Sequence, residues 1–161
     1  MNKIFVSVLY IGFLPIAPGT FGSLFGVILG ITIQTIGGFP LLIVSILSLF
    51  VIGWNSANNY IKKNTIDLDP PEIVIDEVVG QLVAYLPISL FIWFFNQESF
   101  HSTFLDWFIA FILFRVFDIF KPWPINWADK IDSGLGIMLD DLIAGFYSAI
   151  LIIMMMFFFM L

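Results

Sequence analysis

The sequence predicts an all-α membrane protein: a polytopic helical bundle of about five short transmembrane helices plus an N-terminal interfacial or re-entrant segment. Three observations lead there: a composition too apolar for a water-facing surface, five apolar runs of helix length, and charged residues that sort to one side of the bilayer. Hydrophobic residues make up 60% of the chain and charged residues 11%, with a mean hydropathy of +1.04. A soluble domain carries about 25% charged residues, so much of this surface faces something other than water. The 161 residues suit a single membrane-embedded domain, 1–161. The absence of Cys excludes disulfides, thiolate nucleophiles and thiolate metal sites. A net charge of -6 argues against nucleic acid as a partner.

From the N-terminus, Met1-Asn2-Lys3 and the apolar residues 4–14 superficially resemble a signal peptide. Ala17-Pro18-Gly19 is a poor cleavage site, and the run is too short to span, so it reads as interfacial or re-entrant. The spans fall at 21–36, 39–55, 73–95, 104–120 and 137–161. Gly37-Gly38 turns the first two into a hairpin. A polar connection, residues 58–71, ends in Pro70-Pro71, which blocks helix continuation. Residues 96–103 link the third and fourth spans, and Pro122 and Pro124 stop the fourth.

Alternating these spans places Lys3, Lys62, Lys63, Lys121 and Lys130 on one side, with Arg115 in the helix end nearest it. The opposite connections carry no Lys or Arg, so the basic side is cytoplasmic. Asp67, Asp69, Glu72, Asp76, Glu77, Asp118, Asp129, Asp132, Asp140 and Asp141 collect on that same side, leaving Glu98 and Asp106 on the other. So many carboxylates at one level repel one another unless a cation intervenes.

Four patches converge on the charged face. Pro18-Gly19-Thr20-Phe21-Gly22-Ser23 opens a helix; Thr20 can cap it, and its free N–H groups with the Thr20 and Ser23 hydroxyls suit a phosphate. Gly22, Gly26 and Gly30 continue as a small-residue stripe for close helix packing, within one chain or between two. In Asp76-Glu77-Val78-Val79-Gly80, adjacent acids begin an apolar helix, and Gly80 leaves room for a partner beside them. Arg115, Asp118 and Lys121 share a helix face at three-residue steps. Asp140 and Asp141 point about 100° apart, so one helix can serve a metal and a neighbouring ligand.

Each patch alone has an ordinary structural explanation: a cap, a solvated acid pair, an Arg–Asp ion pair. Together they place Asp76, Glu77, Asp118, Asp140 and Asp141 on three helices at one membrane level. Oxygen-only ligands suit a hard cation such as Mg²⁺, which takes remaining ligands from substrate phosphate. Arg115, Lys121, Thr20 and Ser23 could hold phosphate oxygens. The lone His101 falls on the opposite side, and Asp67-Leu68-Asp69-Pro70 reads as a turn and not an aspartyl-phosphate motif, leaving water activated by a metal, with a carboxylate as base.

Pro18 to Ser23, Asp76 to Gly80, Phe114 to Ile125 and Gly134 to Gly145 resemble, in order, the motifs of the phosphatidylglycerophosphatase A family. The resemblance covers about residues 12–145, and implies a bacterial enzyme of the inner (cytoplasmic) membrane. It implies Mg²⁺-dependent hydrolysis of a phospholipid substrate, phosphatidylglycerophosphate, to phosphatidylglycerol and inorganic phosphate. Ser133 departs from a family glycine, which touches loop flexibility more than chemistry. On this basis Glu77, Asp118 and Asp141 are expected to ligate the metal, and Asp76 or Asp140 to orient or deprotonate water. Arg115 and Lys121 occupy the family's basic positions, and Gly19, Thr20 and Ser23 are the phosphate-binding candidates. A cation transporter using the same carboxylates is the alternative; it would need acids spread across membrane depth. The sequence does not fix the oligomeric state.

Overall fold

The structure, a computed structural model, describes the backbone of residues 2–63, 70–95 and 100–159 and the side chains of residues 3–62, 70–95 and 104–158. Asp67, Asp69, Glu98 and the His101 side chain lie outside the described residues. Among those described, every regular element is a helix. The N-terminal segment comprises α1 (Asn2–Val6) and a 3₁₀ turn (Ile11–Phe13), far short of a span. It is pinned beside the acidic helix: the Val6 carbonyl accepts the Val74 N–H at 2.8 Å, and Lys3 Nζ lies 4.5 Å over the Phe13 ring.

Helix α2 (Pro18–Lys63) is continuous in hydrogen bonding but breaks at Gly38, whose φ of 60° suits a residue without Cβ. Gly22 abuts Val74, while Gly53 abuts Ile75 and Met138. In a straight helix those two glycines would stand about 45 Å apart at 1.5 Å per residue. The two arms, 18–37 and 39–63, therefore fold back on one another as the expected hairpin, with Pro40 in the first turn of the second arm.

The run expected as one helix over 73–95 is two: α3 (Ile75–Ala84) and α4 (Leu86–Phe95), bent by 43° at Tyr85. Pro87 supplies the cause, since it has no N–H to donate and its ring crowds the carbonyl four residues back. Helix α5 (Phe100–Phe120) stops ahead of Pro122. The connection after it contains a short α6 (Ile125–Asp129) that hydropathy did not reveal, and α7 (Gly134–Phe159) completes the chain.

By length and apolarity α2 and α7 can each cross a membrane, and the bent α3–α4 pair makes a third if taken as one span. That is fewer than the five expected; α5 carries Asp106, Arg115 and Asp118 along its length. Phe94, Phe104, Phe120 and Phe158 are among the large apolar side chains left exposed, as a lipid-facing exterior requires.

The glycine stripe packs within the chain. Gly22 meets Val74, Gly26 meets Val78 and Gln81, and Gly30 meets Leu82 and Trp107. The first arm of α2 therefore runs parallel to α3. On the other side of α3, Gly80 approaches Phe114 and the Asp141 carbonyl, and Gly145 approaches the Gly80 carbonyl and Val83. Hence α3 and α7 also run parallel, backbone against backbone, while α5 returns antiparallel. A side chain at Gly80 would force α3 off both neighbours. Gly80→Leu is expected to lower stability by about 1–3 kcal/mol, read as a drop in thermal midpoint of the detergent-solubilised protein.

Candidate active site

Asp76 and Glu77 lie in the first turn of α3, where the unpaired N–H groups of a helix start favour negative charge. The Asp76 carboxylate accepts the Glu77 N–H at 3.1 Å. One turn on, the Gly80–Gly145 crossing presses α7 against α3 and brings Asp141 to the same place. Asp76, Glu77 and Asp141 each offer a carboxylate oxygen, and these oxygens lie within 4.8 Å of one another. Asp76 is 8% exposed and Asp141 3%. Glu77 Oε2 and Asp141 Oδ1 are buried without a hydrogen-bond partner. Buried, close and partly unsatisfied carboxylates with no nitrogen or sulfur donor fit a hard divalent cation.

The adjacent Asp140 faces elsewhere, as the 100° step requires: its Oδ2 accepts from Lys121 Nζ at 2.8 Å, while its Oδ1 is buried and unpartnered. Lys121 is held on its other side by Asp129, the last residue of α6. Burial opposes the Lys121 charge, but its hydrogen bonds to Asp129 and Asp140 outweigh this and raise its pKa, so it is an ammonium at neutral pH. Its backbone is left-handed, with φ of 41°, as is that of Ala17 at 47°.

Arg115 is anchored at two points. It pairs with Asp118 three residues on, the helix-face pair expected from spacing, and its Nη1 donates to Ser23 Oγ at 3.2 Å. Ser23 in turn donates to the Gly19 carbonyl at 2.9 Å. Asp118 and Asp141 line the same cavity. A cavity of about 430 Å³ joins these groups, lined by Gly19, Asp76, Glu77, Arg115, Asp118, Lys121, Asp129, Asp140 and Asp141 among others.

All five expected acids and both expected cations thus meet in one cavity, though the trio with mutually close oxygens includes Asp76 where sequence reasoning put Asp118. The phosphate-binding candidates divide. Gly19 lines the cavity, and a methyl group there would collide with the Glu77 carboxylate. Ser23 is fully buried and serves Arg115. Thr20 does not cap α2: the helix starts at Pro18, and the Thr20 N–H donates to the Ala17 carbonyl at 3.0 Å. Proline at the first helical position, with no N–H to satisfy, moves the start three residues earlier than a threonine cap would place it. Asp129 was missed as a site residue because it reaches Lys121 only through the α6 turn; the Pro122 and Pro124 pair was its one sequence signal.

The family model described as Phosphatidylglycerophosphatase A matches residues 4–156, which include every residue lining the cavity. The chain belongs to the phosphatidylglycerophosphatase A family. Its relatives include the Phosphatidylglycerophosphatase A of Haemophilus influenzae, 36% identical over 84% of this chain and 77% of that protein. The Escherichia coli protein of the same name is 31% identical over 86% of this chain and 73% of its own length. A Bacteroides thetaiotaomicron protein provisionally named phosphatidylinositol-3-phosphatase is 33% identical, over 88% and 84% respectively. No solved structure matches the chain. Phosphatidylglycerophosphatase A membership makes this a phosphatase family acting on a phosphate monoester, and gives no support to cation transport.

Mutual repulsion among Asp76, Glu77 and Asp141 has a measurable signature. Asp141→Asn removes one of three crowded, buried carboxyl groups, so in chelator-treated buffer the variant is expected to melt a few degrees above wild type, about 1 kcal/mol. A thermal scan in detergent reads it directly.

Proposed function

We propose that this chain is a Mg²⁺-dependent phosphatase that hydrolyses phosphatidylglycerophosphate to phosphatidylglycerol and inorganic phosphate at the cytoplasmic face of the bacterial inner membrane. The observation that carries the reading is the carboxylate trio Asp76, Glu77 and Asp141 within a cavity that Arg115 and Lys121 also line. Six carboxylates and two cations line that cavity. A phosphate dianion entering such an excess of negative charge would be repelled, and a divalent cation held by the trio reverses that field. Bound there, Mg²⁺ would draw charge from phosphate oxygens and acidify water.

The chain's own groups then divide the work. Arg115, fixed by Ser23 and Asp118, and Lys121, fixed by Asp129 and Asp140, bind the phosphate oxygens from two sides. Asp140 keeps one buried oxygen free, which suits it to take the proton of the attacking water. Water oxygen bonds to phosphorus as the ester P–O bond breaks, and the leaving alkoxide takes the proton that Asp140 received from the water to become the glycerol hydroxyl. Asp76 joins the metal-holding set and Asp118 orients Arg115.

Five membrane passages follow if the two arms of α2, the bent α3–α4 pair, α5 and α7 each cross. This puts the site on the side of Lys3, Lys62 and Lys130, which positive-inside statistics assign to the cytoplasm. Transport is disfavoured by charge placement: among the described residues, Asp106 is the one charged side chain of the bundle away from the site face.

Phosphate release by purified protein in vesicles tests the reading across phosphatidylglycerophosphate, phosphatidylinositol 3-phosphate and phosphatidate. The glycerol-linked substrate is expected to be turned over fastest, with activity lost in chelator and restored by Mg²⁺. Asp76→Asn and Asp141→Asn are each expected to lower Mg²⁺ affinity or activity about 100-fold. Release insensitive to chelator, or faster on the inositol lipid, would overturn it.

A further inference from the structure

The cavity wall is not polar all round. Ala17, Pro18 and Ile119 line it alongside the charged groups, and Ala17 and Ile119 are also exposed on the outer surface, Ile119 at 67%. They sit where the start of α2 meets the end of α5. One turn further along each helix, Ser23 and Arg115 close that seam with their hydrogen bond. Outside it, exposed apolar side chains flank the seam: Ile16 (76% exposed), in the turn just ahead of α2, and Val116 and Phe120 (78%) on α5. The remaining exposed lining residues, Pro71 and Asp129, lie on other sides of the cavity, and Asp129 is charged.

We propose that the α2–α5 seam is a lateral doorway for the lipid substrate, with Ile119 as its threshold. The phosphate headgroup reaches Arg115 through the opening, while the acyl chains stay in the bilayer along Ile16 and Val116. Continuity supports this occupant: the same two side chains, Ala17 and Ile119, belong to the charged cavity and to the lipid-facing surface, so a molecule with a phosphate end and an apolar end can satisfy both without leaving the membrane. A water-borne phosphate compound has no use for that apolar rim. The inference rests on the lipid-phosphatase reading but is tested separately from it.

The test uses the full chain in vesicles, in two arms. In the first, wild type and Ile119→Asp are compared on a diacyl lipid phosphate and on the same headgroup phosphate after deacylation. The preference for the diacyl substrate, as a ratio of kcat/KM values, is expected to fall about tenfold in the variant. An equal loss on both substrates, or no change in the ratio, overturns the doorway. In the second, the absence of native Cys lets Ile119→Cys carry a single fluorescent label. Quenching by spin-labelled lipid is expected to exceed quenching by aqueous iodide; the reverse order overturns the proposal even if Ile119→Asp does not fold. Should wild type release phosphate from no lipid while the label is still quenched by lipid, the substrate reading fails and the bilayer-facing seam stands.

Discussion

Where Gly145 meets the Gly80 carbonyl, α3 and α7 pack backbone against backbone, and that contact sets the spacing of the acids one turn before it. Asp76 and Glu77 on one helix and Asp141 on the other are held together by backbone geometry, not by mutual attraction. The surrounding groups answer the resulting excess of negative charge. The start of α3 contributes its N-terminal dipole, and Arg115 and Lys121 stand on either side, each tied down by a second partner so that it cannot simply collapse onto the trio. A charge imbalance built so rigidly into apolar surroundings is suited to a cation and an anionic substrate together, where either alone would be poorly matched.

The two cations are restrained differently. Arg115 extends from the body of α5 and reaches across to α2, so it also staples two helices at the edge of the cavity. Lys121 sits beyond the helix end, on a turn that α6 closes back over the site. The guanidinium is therefore part of the bundle, whereas the ammonium depends on a short surface element. The N-terminal segment plays a similar bracing part for α3, through the Val6–Val74 hydrogen bond.

Much of this architecture is legible in the amino-acid sequence itself. Apolar runs located the helices, Gly37-Gly38 located the hairpin, and one-sided charge gathered the acids and bases that do meet. Spacing alone gave the Arg115–Asp118 pair and the divergence of Asp140 from Asp141. What hydropathy averaged away was local backbone chemistry. Hydropathy averaged over 73–95 stays high on both sides of Tyr85, so the break is invisible there although Pro87 marks it. Pro18 displaced the expected Thr20 cap for the same kind of reason: a missing N–H counts more than a hydroxyl. The Ser23–Arg115 and Lys121–Asp129 contacts join residues from different elements, and no pattern along one helix encodes them.

The left-handed backbone at Lys121 sets a limit on how far this protein can be hardened. Glycine would relieve a conformational strain of about 1–2 kcal/mol at such a position, and an engineer seeking thermostability would try it first. Here the same exchange deletes the ammonium that Asp129 and Asp140 hold, so the easiest gain in rigidity erases a charge the cavity is built around. Ala17, equally left-handed on the same cavity wall, carries no such group. The two positions thus form an internal pair: one strain that can be repaired freely, and one that is the cost of holding a cation where a phosphate would meet it.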